Sequence, residues 1–370
     1  MNVRPAHTTH DALERLLVMD DQRTLPNSSY YGSHPLPSQA AVAEIGNDLL
    51  ALFFPGYFGP SPASDGYQWE QASRFFKLRR DLAQQIYLAK LAECGVDQEP
   101  GVIRKWSEET TDSVLSTLPQ VRELLELDVQ AAYDRDPAAN SILPIPMCYP
   151  GIRAVAVYRF AHELHVREVA LLAIMFSTWA KSQTGIDIHP AAKIGPGFFI
   201  DHGTGVVIGE TAEIGKNVTL YQGVTLGSWN FPRDSQGQII RGAKRHPTLQ
   251  DGVTVYANAS VLGGDTVVGC YSDVGANVTL RESLERETVL WREKQHLQKR
   301  SKKGSSTKPK SSLGAGAPDP SASAAAPPQL TYRERYPDRY NDSVLPDDGC
   351  PNCGDVDERD EFGKPHNATD

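Results

Sequence analysis

The chain has 370 residues, 40% hydrophobic and 22% charged, with a formal net charge of −9. That length allows two domains with cores of their own, and the balance is that of a globular protein. The negative charge gives no electrostatic reason to bind nucleic acid, and the most apolar run, Val169 to Ala180, is too short to span a bilayer.

Residues 1–37 are polar with scattered prolines and read as loosely ordered, without the apolar core of a signal peptide. The five cysteines, Cys94, Cys148, Cys270, Cys350 and Cys353, are odd in number and scattered. They suggest no disulfide framework, so a reducing, cytoplasmic setting is expected. Residues 38–183 read as a helical domain. Phe75, Leu78, Leu82, Ile86 and Ala89 share one helical face, as do Leu118, Val121, Leu125 and Val129. Pro119 suits the start of that second helix, which should stop before Pro137. One further helical segment, Ile152 to Lys181, is expected to lead into the next domain and cap its open end.

Residues 184–282 carry a period of six. Ile188, Ile194 and Ile200 are followed, after a slip of two residues, by Ile208, Ile214, Leu220 and Leu226. Ala192, Thr204, Ala212, Val218 and Val224 hold the small position four places later. Six fits neither a helix nor an alternating strand. It fits a parallel β-helix in which each short strand points one aliphatic residue inward and three strands close a triangular coil. The count resumes at Leu249, Val255 and Val261, steps by seven to Val268, and runs through Val274 to Leu280. The odd step predicts an extra turn residue near Gly263 and Gly264. Residues 228–248 lack the repeat and read as a loop ejected from the coil, a length usually tied to function.

Residues 283–300 are expected to form one charged helix. Residues 301–370, rich in Ser, Ala, Gly, Pro and Lys and then acidic, are expected to be disordered. The Cys350/Cys353 pair there has the spacing of half a metal knuckle but no second pair.

Three histidines of the repeat could carry chemistry: His189, His202 and His246. His202 sits where the register slips. Asp187 lies fifteen residues earlier, near one coil away, and a carboxylate behind an imidazole fixes the tautomer that a general base needs. A turn cap would account equally well for Asp187 and for Asp201. Arg245, beside His246, offers a planar fork to a carboxylate, or is a plain solvent-exposed arginine. Asp136 precedes a proline and suits a helix end. Zinc held by three histidines needs a closely spaced pair, which positions 189, 202 and 246 do not supply, so no metal is expected.

The segments DIHPAAKIG, DHGTGVVIGETAEIG and KRHP, with RDPA and YRFAHEL upstream in that order, resemble the serine O-acetyltransferases of the hexapeptide-repeat acyltransferase superfamily, in a longer-looped branch. The likeness covers about residues 110–280. The fold it implies is α+β, an all-helical domain followed by a left-handed parallel β-helix. The reaction it implies moves the acetyl group of acetyl-CoA to the hydroxyl of L-serine, toward cysteine. Carried over, His202 would be the general base and Asp187 its orienting acid. Asp136 and Asp201 would hold the ammonium end and side chain of serine, and Arg245 and His246 its carboxylate. Gly227 and Ala257 would line the acetyl-CoA groove. The resemblance also implies a homotrimer or a dimer of trimers. Another hydroxylated acceptor, homoserine or a sugar, is the alternative; the acidic residues and Arg245 favour an amino acid. The family's short tail with a terminal isoleucine is replaced by a tail ending NATD, which argues against docking into O-acetylserine sulfhydrylase.

Overall fold

A computed structural model describes residues 35–59, 61–94, 99–231 and 233–293. The calls for residues 1–34, for 294–300 and for the tail at 301–370, with its Cys350/Cys353 pair, lie outside the described residues.

Seven described helices come first: α1 (Gln39–Phe53), α2 (Tyr67–Cys94), α3 (Pro100–Leu115), α4 (Leu118–Arg135), α5 (Pro144–Cys148), α6 (Pro150–His165) and α7 (Ala170–Thr184). The apolar stripes lie where the periodicity puts them. Leu78, Leu82, Ile86 and Ala89 are buried, as are Val121, Leu125 and Val129. α4 ends one residue before Asp136 and two before Pro137. The single helix expected over Ile152–Lys181 is two. Arg167 folds back to donate to the Glu163 carbonyl at 2.9 Å, and Glu168 takes a left-handed φ of 62°. No glycine or proline marks that break, and the apolar pattern continues across it.

Among the described residues fourteen short strands follow, in three parallel sheets. The first sheet stacks β1 (Asp187–Ile188), β4 (Val207–Ile208), β7 (Thr225–Gly227), β10 (Ser260–Leu262) and β13 (Thr279–Leu280). The second stacks β2 (Lys193–Ile194), β5 (Glu213–Ile214), β8 (Thr248–Leu249) and β11 (Val267–Val268). The third stacks β3 (Phe199–Ile200), β6 (Thr219–Leu220), β9 (Thr254–Val255), β12 (Asp273–Val274) and β14 (Val289–Leu290). The chain visits the sheets in turn, which makes them the three faces of a left-handed parallel β-helix. Each aliphatic position of the repeat pairs with its successor one coil on: Ile188 with Ile208, Ile208 with Leu226, Leu226 with Val261 and Val261 with Leu280. These columns are the buried core. Strands two residues long hold because their peptides hydrogen-bond to neighbouring coils while the apolar side chains leave water together.

Two expectations change at the edges. Thr204 is exposed and Val206 fills the small inward position, because the two extra residues of the slip fall before Val206. The charged helix does not form over 283–293. There Leu284 bridges Val268 and β14 pairs with β12, so the coil continues past 282. Leu284 and Leu290 keep the spacing of six, hidden in the sequence by charged neighbours. Gly263, at φ 110°, supplies the extra turn residue of the seven-residue step. Residues 228–247 leave the coil between β7 and β8, and β7 pairs directly with β10 across the gap. Cys148 is free and exposed. Among the described residues no helix is long and apolar enough to cross a membrane.

The helices are bolted to the first coils through α4 and α6. Arg159 donates from Nε and Nη2 to the two oxygens of Asp128 at 2.7 and 2.9 Å, and both side chains are buried. Arg159 also donates to the carbonyls of Ile194 and Gly195, while Asp128 accepts the Phe198 N–H at 2.8 Å. Tyr158 donates to the Ala192 carbonyl at 2.6 Å. Removing one partner of such a pair strands the other charge in the interior. Asp128→Ala should therefore lower unfolding stability by about 3–5 kcal/mol, read from denaturant titration. A loss below about 1 kcal/mol would mean that the pair does not hold the two parts together.

Candidate active site

The slip in the repeat is what lifts His202 off the coil. Ile194 to Ile200 is an ordinary six, but Ile200 to Ile208 needs a longer turn, and the chain makes it through left-handed conformations at His202 (φ 57°), Gly203 (φ 80°) and Gly205 (φ 82°). A left-handed φ is uncommon for a residue with a Cβ. Here it turns the imidazole outward, and the side chain is 73% exposed. Its Nδ1 lies 3.9 Å from the Asp201 carboxylate. Burial pushes the Asp201 carboxyl above the usual carboxylate range, opposed by the charge of His202.

Asp136 joins this corner from the end of α4. One oxygen accepts the Ala138 N–H at 2.8 Å and the other accepts the Tyr149 hydroxyl at 2.5 Å. That bond, with the charge of Asp136, pushes the tyrosine up to about 12. Tyr149 therefore stays a donor and holds the Asp136 carboxylate in place. Tyr149 is absent from the reading of the sequence, and its only signal there is its place just before Pro150, at the start of a buried helix. Gly151, two residues on, lets α6 approach the Ile200 carbonyl, which any Cβ would strike.

A second cluster lies at another corner, where the first sheet turns into the second. His189 follows β1, Glu210 and Thr211 follow β4, and Arg245 and His246 precede β8 at the root of the ejected loop. Arg245 Nη2 pairs with the Glu210 carboxylate. His246 is buried over Gly209, where a Cβ would overlap its ring. Burial is the main cause that pushes His246 down to about 4, with the charge of Arg245 next. Burial also lowers His165 and His189. Glu210 and Thr211 belong to the GETA segment, but nothing in the spacing marks them as partners of residues 34 and 35 positions later.

The structure thus sorts the sequence-derived residues into two groups. His202, Asp201 and Asp136 share one corner; Arg245 and His246 share the other. Asp187 stands between them at the start of β1, its carboxylate held by Lys181 of α7 at 2.6 Å. Among the described residues no hydrogen bond or ion pair joins Asp187 to His202. Gly227 and Ala257 flank the first sheet on opposite sides, one ending β7 and the other preceding β10. Among the described residues, no group of three or more acidic, His or Cys side chains is arranged to hold a metal ion.

Comparison with known proteins decides the family. The chain is 42% identical over 256 residues to a plasmid-encoded serine acetyltransferase of Synechococcus elongatus, covering 68% of this chain and 80% of that relative. The chain belongs to the serine acetyltransferases. A Helicobacter pylori serine acetyltransferase is 46% identical over 160 residues, 43% of this chain and 88% of its own length. The crystal structure of Entamoeba histolytica serine acetyltransferase 1 in complex with L-cysteine superposes with a TM-score of 0.59 at 33% identity, over 75% of this chain and 96% of that one. No family model matches the chain.

The three lowered histidines predict a pH dependence. Each binds its proton more weakly when folded than the ordinary value of about 6.5 in an unfolded chain. Their contribution is full above that pH and is lost as pH falls toward about 4, where His246 finally charges. Denaturant midpoints should fall between pH 6.5 and 4.5, less steeply in His246→Gln. Parallel slopes for the two proteins would contradict the burial of His246.

Proposed function

We propose that this chain transfers the acetyl group of acetyl-CoA to the hydroxyl of L-serine, giving O-acetyl-L-serine and CoA, with His202 as general base. The observation that carries the reading is the exposed imidazole of His202, held out on a left-handed turn beside the carboxylates of Asp201 and Asp136. The imidazole takes the serine Oγ proton as the oxygen attacks the thioester carbonyl. The tetrahedral oxyanion then collapses, the C–S bond breaks, and the imidazolium returns its proton to the departing thiolate. Asp136 and Asp201 suit the ammonium end of the substrate. Arg245 and His246 suit its carboxylate, since a guanidinium donates to that group bidentately. A sugar acceptor offers neither charge.

The two groups of residues occupy the two corners that bound one face of the coil. A homotrimer built on the β-helices, singly or as two trimers joined through the helical domain, would set the His202 corner of one copy against the Arg245 corner of the next. In that arrangement Asp187 would orient the His202 of a neighbouring copy, and acetyl-CoA would lie in the groove between copies, along Gly227 and Ala257. The setting that goes with this chemistry is the cytoplasm.

His202→Ala should lower kcat by roughly 10²–10⁴-fold with the far-UV spectrum unchanged, measured by thiol release from acetyl-CoA over serine, homoserine, threonine and simple sugars. Turnover equal to the parent would remove His202 from the mechanism, and faster release with a sugar than with serine would overturn the acceptor. Subunit exchange between His202→Ala and Arg245→Ala proteins, each impaired alone, should restore activity, because some interfaces then carry both intact groups. Mixed assemblies no more active than their parents would place the whole site within one chain.

A further inference from the structure

We infer that Thr211 is a positioning residue that fixes His246 as a neutral imidazole with its proton on Nε2. The site then meets the acceptor's carboxylate with a directional N–H donor instead of a second full charge beside Arg245. This rests on the reading of His246 as a carboxylate ligand.

The hydrogen bonds leave one arrangement. The Thr211 backbone N–H donates to His246 Nδ1 at 3.1 Å, so Nδ1 presents a lone pair and the ring proton must be on Nε2. Thr211 Oγ1 accepts the backbone N–H groups of Arg245 at 2.9 Å and His246 at 3.0 Å. Both acceptor positions of the hydroxyl are then filled. Its own proton is directed at Nδ1, 2.9 Å away. The threonine therefore ties both ring and backbone of the Arg245–His246 pair to the turn after β4. Lys244 grips the same residue from outside, donating to the Thr211 carbonyl at 2.8 Å. Gly209 lets the ring lie flat on the turn. Among the described residues nothing accepts from Nε2, which leaves that edge for a ligand.

The charges around the ring agree with a neutral state. Arg245 and Lys244 oppose a proton on His246, as does His189, and only Glu210 favours one. Glu210 is already paired with Arg245. A positive imidazole would also need a proton on Nδ1, where two donors already point.

The test is the ¹⁵N spectrum of protein labelled at histidine, with the His246 resonances assigned by their loss in His246→Gln. The parent should show an unprotonated Nδ1 and a protonated Nε2 that do not titrate above pH 5. Thr211→Val, which keeps the shape and loses the hydroxyl, should let His246 titrate nearer the ordinary histidine value. It should also raise the KM for serine about tenfold, the loss of one hydrogen bond to a charged group, while the KM for acetyl-CoA and kcat hold. Thr211→Ser should restore the parent on every measure. A protonated Nδ1 in the parent overturns the inference whether or not Thr211→Val folds, and so does a Thr211→Ser protein that behaves like Thr211→Val. A lock that weakens in Thr211→Val with the serine KM unmoved supports the tautomer and overturns instead the role of His246 as carboxylate ligand.

Discussion

The ion pair between Arg159 and Asp128 is the constraint on which the geometry depends. Two buried charges are tolerated only when both are fully hydrogen-bonded, and here the remaining donors and acceptors are spent on the first coil. Arg159 takes the carbonyls of Ile194 and Gly195, and Asp128 takes the Phe198 N–H. Arg135 adds bonds to the Gly197 and Asn217 carbonyls and to the Thr219 and Asn217 side chains. The segment pinned in this way, 194–198, runs directly into Ile200, Asp201 and His202. A shift of α4 against the coil would carry Asp136 with it and move that turn, so one electrostatic clamp sets both sides of the His202 corner.

Within the coil a different rule operates. The aliphatic columns fix which residues point in, and the turns decide what points out. Where six residues separate inward positions, the turn is tight. Where eight do, the chain has slack, and His202 uses it. Where the loop leaves the coil, the returning chain lands on Gly209 and Gly264, which have no side chain to obstruct the backbone and ring that cover them. The proposed reactive groups therefore sit at irregularities of the repeat, while its regular part supplies the rigid frame.

Much of this was legible in the sequence. The aliphatic sixes marked the coil and the slip marked the turn that carries His202, because in a repeat fold the period is written along the chain and any departure stands out. The apolar stripes of α2 and α4 were visible for the same reason. What escaped were features set by contact between distant segments. The break at Glu168 has no glycine or proline to announce it. The last strand is masked by the charges around Leu284 and Leu290. Asp128 and Arg159, 31 positions apart, look like ordinary helical charges until the helices pack. The bond from Tyr149 to Asp136 and the ties from Thr211 to His246 likewise join separate elements, and no local pattern encodes them. The pairing of Asp187 with Lys181 arises where α7 meets β1, and spacing along the coil alone pointed elsewhere.

The excursion between β7 and β8 has a consequence for how such a chain can diversify. Strand β7 finds its partner in β10 without it, so the coil closes whatever the excursion contains. Lengthening it costs little, since each doubling of a flexible segment adds only about 0.6 kcal/mol of closure entropy. Its outer part is thus free to vary under selection, while its final residues, gripped by the turn beneath, stay where a small molecule would meet them. A lineage could reshape the rim around its acceptor by insertion and deletion, leaving the catalytic geometry and the folding of the coil untouched.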